Sequence, residues 1–372
     1  MAPFRDGLEE GPIYVKPHAF GAISGSPRSQ GSTLAAEERT SAGRGDNTKG
    51  IQQLTRRNVE TPSPVESCVH ELIYERCQNQ PDAPAVRGWD GNFTFKQLDG
   101  FANSLAITLS SKGVGPEVFV PICFEKSRWV VVAMLAVLKA GGAFVLLNPS
   151  EPVKRLKEIC QKLKVQVVVT SRENEDTASQ LGSELVFVGE ITDEARGAAP
   201  ASLVRPDNAA FAIFTSGTSG PAKCVAVEHR SYSTGALAHS AALDLTSSSR
   251  VLQFAPYSFN VCLVEILSVL IVGGCVCIPS ETDRRSDLVG TARRFEINWA
   301  VFTPSIARII DVNDLPTLKT LVLWGESMSR EDLLKWAQHV QLFNAYGTAE
   351  CSVVAATRRC QVAAGNPTNI GY

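Results

Sequence analysis

Apolar positions along this chain follow two alternating periods from Pro64 onwards. Some segments place them three or four residues apart, as on one helical face, with Val65, Val69, Leu72, Ile73 and Cys77 as the first set. A second set of this kind is Leu98, Phe101, Ala102, Leu105 and Leu109. Short apolar runs bounded by glycine, proline or polar residues lie between the helical segments and predict buried strands.

These patterns predict elements of both kinds in regular alternation. We expect strands within 80–86, 93–95, 118–123, 143–147, 165–169, 185–188, 209–214, 224–228, 250–254, 299–302, 319–323 and 340–343. Further helices are expected over 126–140, 152–163, 229–243, 285–295, 304–311 and 329–337. Such alternation predicts an α/β fold of mostly parallel, doubly wound sheets with helices on both faces.

Residues 129–147 form an apolar stretch with a single charge, long enough to raise the question of a membrane span. Lys139 and the pair Gly141-Gly142 divide it, which predicts a helix, a turn and a strand instead. Residues 266–278 repeat this arrangement around a second glycine pair. We therefore expect the stretch to lie inside a soluble α/β domain.

Residues 1–63 differ from the rest of the chain. Gly, Ser, Arg and Thr are frequent there and apolar periodicity is absent, so we expect a disordered arm or linker ahead of a domain over 64–372. The arm has no continuous apolar core of a signal peptide, and Asp6, Glu9 and Glu10 argue against a transit peptide. A cytoplasmic location is the expectation.

The composition of the chain limits the classes of partner and metal site that can be expected. The 372 residues are 44% hydrophobic and 20% charged, with a net charge of −2, which provides no electrostatic argument for a nucleic acid or an anionic membrane. The ten cysteines show no C-x-x-C pair, as expected of free thiols in a reducing compartment. The five histidines are far apart in the sequence, so no metal cluster is expected.

The stretch 214–229, FTSGTSGPAKCVAVEH, concentrates groups that bind phosphate. Its hydroxyls, glycines and lysine are Thr215, Ser216, Gly217, Thr218, Ser219, Gly220 and Lys223. Gly217 and Lys223 have the spacing of a Walker loop, but Ala222 replaces its second glycine and Cys224 its magnesium-binding hydroxyl. From these residues alone, an ordinary surface loop remains the alternative.

Five segments in order resemble the core motifs of adenylate-forming enzymes, in particular the adenylation domains of filamentous-fungal nonribosomal peptide synthetases. The stretch 214–229 resembles their phosphate-binding motif, T-S-G-[ST]-T-G-x-P-K-G-V. The other four are AVLKAGGAFVLLNP (136–149), LVLWGES (321–327), FNAYGTAECSV (343–353) and NIG (369–371). The resemblance spans about residues 65–372.

The resemblance implies roles for individual residues at the nucleotide site. Lys223 and the preceding loop would bind the phosphates of ATP, and Glu350 would be the Mg²⁺ ligand. Tyr346 would stack on adenine, and Asn344 would bind its edge. Departures from the family pattern are Thr348-Ala349, where Pro-Thr is common, together with Ala222 and Cys224. Without the resemblance, Glu350 is equally well a solvated acid of a surface loop.

The resemblance also implies an acyl pocket. By position its residues are Asn260, Val261, Val264, Val301, Val322, Trp324, Ala345, Val353 and Val354. Core packing is the alternative interpretation of most valines. Asn260 stands where amino-acid-activating relatives carry an aspartate that pairs with the substrate ammonium, and Trp324 stands where glycine is frequent. The pocket is therefore expected to be small, apolar and uncharged.

The function implied is ATP-dependent activation of a carboxylic or amino acid as an acyl adenylate. Its acceptor would be the phosphopantetheine thiol of a carrier-protein domain, next to condensation domains of a peptide synthetase. The string Y-x-T-G-D is absent, and G-R-x-D occurs only as GRGD (43–46), ahead of the region of the resemblance, so we expect a C-terminally truncated adenylation domain that is inactive alone. Two alternatives remain: an inactive nucleotide- or partner-binding remnant, and a relative of acyl- or aryl-CoA ligases.

Overall fold

The computed structural model describes residues 13–15, 63–182, 184–190, 202–215 and 223–362. Predictions that fall on other residues, including Ser216, Gly217, Thr218, Ser219 and Gly220 of the hydroxyl-rich loop, lie outside the described residues.

Strands and helices alternate along the described chain. The strands are Ile13–Val15 (β1), Pro84–Gly88 (β2), Gly91–Thr94 (β3), Phe119–Cys123 (β4), Ala143–Leu147 (β5), Val167–Thr170 (β6), Glu184–Phe187 (β7), Ala209–Thr215 (β8), Lys223–Glu228 (β9), Arg250–Leu252 (β10), Cys275–Ile278 (β11), Trp299–Phe302 (β12), Thr320–Trp324 (β13), Gln341–Tyr346 (β14) and Ala356–Cys360 (β15). The α-helices are Val69–Asn79 (α1), Phe95–Ser111 (α2), Arg128–Lys139 (α3), Val153–Lys162 (α4), Glu175–Ala178 (α5), His229–Ala242 (α6), Val261–Leu263 (α7), Val269–Val272 (α8), Glu281–Ser286 (α9), Leu288–Arg294 (α10), Pro304–Ile309 (α11) and Arg330–Trp336 (α12). A π-helix, Val264–Ser268, joins α7 to α8, and short 3₁₀ turns lie at Arg172–Asn174, Val188–Glu190, Val312–Asp314 and Ala349–Cys351.

The strands form two sheets. One has the order β1-β9-β8-β5-β4-β6-β7 and the other the order β15-β14-β13-β12-β10-β11-β2-β3. The pairs β8/β9, β2/β3 and β14/β15 are antiparallel, whereas the other strand neighbours run parallel. The predicted fold class, mostly parallel sheets alternating with helices, is confirmed.

The apolar stretch 129–147 divides as expected into α3 and β5. Gly141 has φ +89°, a left-handed conformation that favours glycine, and a Cβ on Gly142 would lie 2.7 Å from Val114 Cγ1. Residues 130–139 are all buried, because α3 packs inside the domain and is apolar on every side. In the described part of the chain, no helix has both the length and the apolar character needed to cross a bilayer.

Several boundaries differ from the sequence prediction. The helix expected over 285–295 is two helices, because Asp287 leaves the helical conformation and its carboxylate caps the Gly290 amide. Strand β14 continues beyond 343 to Tyr346, and β15, a polar edge strand, was not expected. Strand β1 pairs with β9 and lies in the stretch expected to be disordered.

Candidate functional site

A cleft opens at the carboxyl ends of β13 and β14, the edge where ligands of open α/β sheets bind. It measures about 400 Å³ and is lined by Trp324, Gly325, Glu326, Ser327, Asn344, Ala345, Tyr346 and Gly347. The parallel register places Leu323 beside Asn344 and Trp324 beside Ala345, so β14 extends one residue beyond the end of β13, to Tyr346. The longer β14 therefore brings the two predicted adenine-binding residues to the cleft.

The turns beyond these strands require special backbone conformations. Gly325 has φ +88° where the chain leaves β13. A Cβ on Gly347 would lie 1.8 Å from the Val353 carbonyl oxygen, so only glycine allows the loop after β14 to fold back so closely. Ser352 and Val353 have φ of +56° and +84°, and this conformation is strained for a β-branched residue such as Val353. The strained loop is the one that carries Glu350.

The side chains at this edge have the exposure that a nucleotide site requires. Tyr346 is 49% exposed, which leaves a ring available for stacking, whereas Asn344 is buried. Glu350 is an exposed carboxylate on the 3₁₀ turn Ala349–Cys351. One carboxylate together with phosphate oxygens is a donor set that suits Mg²⁺. The cleft volume lies in the range of small-molecule sites, about 300–1,000 Å³.

The hydroxyl-rich segment connects two antiparallel strands, β8 and β9. Thr215 and Lys223 are paired across this hairpin, and Lys223 is exposed. The helix that follows β9 runs close to the loop that carries Glu350, since a Cβ on Gly235 would lie 3.8 Å from the Ser352 carbonyl oxygen. The fold thus places α6 beside the loop that carries Glu350.

The predicted acyl-pocket residues fall into two neighbouring groups. The eight apolar candidates all belong to or pack against one hydrophobic cluster: Val261, Val264, Val301, Val322, Trp324, Ala345, Val353 and Val354. Trp324 and Ala345 line the cleft at β13 and β14, whereas Asn260 lines a separate narrow cleft of about 30 Å³ beside Tyr257 and Leu263. Neither cleft is lined by all nine residues.

Sequence reasoning assigned no role to Glu326, which also lines the larger cleft. Its carboxylate accepts hydrogen bonds from the Ser305 amide at 3.0 Å and the Ser305 hydroxyl at 2.6 Å. These donors lower the pKa of Glu326 below its ordinary value. The signal that could have identified it is an acid two residues beyond a buried strand.

A second group missed by the sequence analysis is polar and buried. Lys126, Gln253 and Glu265 are all inside the domain, and Glu265 lies on the π-helix that follows Asn260. Burial raises the pKa of Glu265 and lowers that of Lys126. A lone acid within the apolar run 261–272 was the available signal.

The fold brings together two histidines that are 159 positions apart, since ligand atoms of Cys68, His70 and His229 lie within 4.8 Å of one another. The His229 Nδ1 accepts the Val69 amide at 3.1 Å, so the only lone pair of its neutral ring is already used. Burial lowers the pKa of His70 to about 4 and raises that of Cys68 to about 12. This group joins α1 to α6 and is not arranged for a metal ion.

The chain matches the AMP-binding enzyme family over residues 73–372. Nonribosomal peptide synthetase fmqA of Aspergillus fumigatus is 46% identical over 332 residues, which cover 88% of this chain and 8% of that protein. N-benzoylphenylalaninol synthetase apmA of Penicillium brevicompactum is 42% identical over 321 residues, covering 86% of this chain and 14% of that protein. The chain thus spans a small part of these relatives.

Solved structures support the same fold. The AMPPNP-bound form of the nonribosomal peptide synthetase FmoA3 has a TM-score of 0.75 at 20% identity, covering 86% of this chain and 35% of that chain. VinN in complex with 3-methylaspartate has a TM-score of 0.73 at 19% identity, covering 83% of this chain and 86% of that chain. With a family match over most of its length and fungal peptide synthetases among its relatives, the chain belongs to the AMP-binding enzyme family.

Proposed function

We propose that the cleft at β13 and β14 binds Mg·ATP beside a small carboxylic acid and that the reaction joins the two as an acyl adenylate. The observation that carries this proposal is the position of Asn344 and Tyr346 on a cleft that also contains Trp324 and Ala345. Residues assigned to nucleotide and to acid thus share one edge of the sheet. The adenylate would pass to the phosphopantetheine thiol of a carrier domain in peptide synthesis.

The chemistry is an in-line displacement. An oxygen of the acid's carboxylate would form a bond to the α-phosphorus of ATP while the bond to pyrophosphate breaks; Mg²⁺, when held by Glu350, would supply positive charge for the departing pyrophosphate. The chain's own residues position the reactants: Tyr346 offers its exposed ring to adenine, and Glu350 offers its carboxylate to the metal. Lys223 provides a cation at the start of β9 for the phosphates.

The substrate class that we propose rests on Asn260, and it requires the α-carbon of the acid to reach the narrow cleft that Asn260 lines. An α-ammonium group facing a neutral amide would remain without an anionic partner, and breaking a buried ion pair in this way costs roughly 3–5 kcal/mol. The other candidates are apolar, and the bulky side chain of Trp324 lines the larger cleft. We therefore propose an acid without an α-ammonium group, such as a compact 2-hydroxy, 2-keto or aryl acid.

Calorimetric titration of the chain with Mg·ATP tests the site. We expect Glu350→Gln, which removes a metal-coordinating carboxylate, and Lys223→Ala, which removes a charged hydrogen bond to phosphate, to weaken binding about tenfold or more. Glu331→Gln, which neutralises an exposed acid on α12, is the matched control and should leave affinity unchanged. If neither variant changes the affinity, or if the chain binds no Mg·ATP, the proposal is wrong.

Acid-dependent ATP–pyrophosphate exchange on the same sample tests whether this chain alone can form the adenylate. Sustained exchange would contradict the expectation that the chain is inactive alone, whereas Mg·ATP binding without exchange would support it. Capture of the acyl group by coenzyme A, and not by a carrier domain, would instead favour a CoA ligase.

A further inference from the structure

The segment between β10 and α7 crosses a buried polar network before it reaches Asn260. Gln253 follows β10 directly, and its side chain is completely buried. Residues 253–260 then turn back through a Phe259 N–H to Pro256 hydrogen bond of 3.0 Å and enter α7. The position of Asn260 therefore depends on how this segment is held.

Lys126 holds the segment from the side of the first sheet. Lys126 follows β4 in the chain. Its ammonium group lies 2.5 Å from Gln253 Oε1, 3.2 Å from the Gln253 carbonyl oxygen and 2.9 Å from the Ala255 carbonyl oxygen. These three acceptors satisfy the three donors of a lysine ammonium group. Lys126 is only 5% exposed.

Glu265 holds the same segment from the π-helix. Its carboxylate accepts the Ala255 amide at 3.0 Å and Gln253 Nε2 at 3.0 Å, and Gln253 Nε2 also donates to the Ala255 carbonyl oxygen at 2.7 Å. Both polar groups of the Ala255 backbone are thus engaged, the carbonyl oxygen by Lys126 and the amide by Glu265. The π-helix turns Glu265 towards the segment, and such irregular turns are frequent at functional sites.

Stability alone does not account for this arrangement, because buried ionic groups lose solvation and often stabilise a protein no more than apolar packing would. A fully paired polar network instead selects one conformation of the chain around it. The conformation selected here is that of residues 253–260, which present Asn260.

We propose that Lys126 and Glu265 are positioning residues that clamp residues 253–260 and thereby fix the site at which Asn260 meets the acid. The assignment of the acid to this site rests on the proposed function, whereas the clamp itself does not. Asn260 and the π-helix belong to one continuous segment, so displacement of Ala255 would be transmitted directly to Asn260 and α7.

Hydrogen exchange of the full chain without ligand tests the clamp. Glu265→Gln replaces one acceptor oxygen by an amide donor that faces the Ala255 amide or Gln253 Nε2. We expect the amides of 254–263 to exchange about tenfold faster or more, while those of β13 and β14 are unchanged. Lys126→Arg keeps the positive charge, but its planar guanidinium group cannot direct three donors from one nitrogen at the same three acceptors. It should produce the same local effect.

Asp99→Asn is the matched control. The buried Lys139 pairs with the partly buried Asp99 at a Nζ to Oδ1 distance of 2.6 Å, at the opposite end of α3 from Lys126. That end is about 16 Å along the helix axis from the start of α3, at 1.5 Å per residue. The clamp is refuted if the amides of 254–263 exchange at the same rate in both clamp variants as in the unaltered chain. It is also refuted if they exchange as fast in Asp99→Asn as in the clamp variants.

Binding of 2-hydroxyisovalerate and of Mg·ATP provides the second readout. We expect the clamp variants to weaken acid binding at least about tenfold and to leave Mg·ATP affinity unchanged. Faster local exchange with unchanged acid affinity would refute the positioning role. Failure of the unaltered chain to bind any acid would contradict the proposed function, while the exchange experiment would still decide whether the clamp exists.

Discussion

His239 Nε2 lies 2.7 Å from Ser268 Oγ, which connects α6 to the last residue of the π-helix. The direction of this bond follows from its neighbours. Tyr232 Oη donates to the Leu263 carbonyl oxygen at 2.7 Å, so it accepts from Ser268 Oγ at 2.8 Å. Ser268 has then used its only proton, and His239 must donate. The neutral Nε2–H tautomer of His239 is therefore part of the structure that holds the π-helix.

Ser268→Ala tests this chain of hydrogen bonds. It leaves the buried donor of His239 without an acceptor and Tyr232 Oη without its donor, which should cost about 1–3 kcal/mol of unfolding free energy. Ser240→Ala is the control, because the buried Ser240 hydroxyl has no partner among the described residues. Urea denaturation of both variants measures the difference. Equal losses would contradict the assigned network.

His239 should make stability depend on pH. Burial lowers the pKa of His239 from 6.5 to about 3. Its contribution to the free energy of unfolding is therefore complete above pH 6.5 and is lost as the pH falls towards 3. Between pH 6 and 4, the free energy of unfolding should therefore fall by about 1.4 kcal/mol per pH unit from this group. His239→Gln should reduce the measured slope by that amount. His339→Gln, at an exposed position, should leave it unchanged.

Gly347→Ala should disrupt the loop that carries Glu350. The new Cβ would lie 1.8 Å from the Val353 carbonyl oxygen, which forces the backbone to move at a cost of about 1–3 kcal/mol or more. Thermal unfolding should show the loss of stability, and Mg·ATP titration should show a loss of affinity. Gly235→Ala on α6, where the new Cβ would approach the Ser352 carbonyl oxygen only to an ordinary 3.8 Å, should be neutral or stabilising. A stable Gly347→Ala chain with normal nucleotide affinity would refute the tight approach.

Asn260→Asp should change the preferred substrate. A carboxylate at this position would pair with an α-ammonium group, so binding of valine relative to 2-hydroxyisovalerate should rise by a factor of about 100 or more. Calorimetry with both ligands measures the ratio. Asn92→Asp introduces the same charge at an exposed position of β3 and should have no effect. An unchanged ratio in Asn260→Asp would show that this residue does not discriminate.

Local chemistry explains what could be predicted from the sequence. Periodicity and the glycine pairs predicted α3, β5 and most strands, because burial of apolar side chains and the conformational freedom of glycine act over a few residues. The break at Asp287 and the edge strand β15 were missed. The first depends on a side-chain cap, and the second has little apolar alternation.

The sequence by itself determined which residue types were available: the run 343–353 with Tyr346 and Glu350, and the neutral Asn260 in an apolar segment. Only the tertiary structure decided their grouping. It placed Trp324 beside Ala345 through the register of two strands, and it closed Lys126 and Glu265 around residues 253–260. Lys126 and Gln253 are 127 positions apart. Contacts over such separations depend on the packing of two sheets, which no local pattern of side chains specifies.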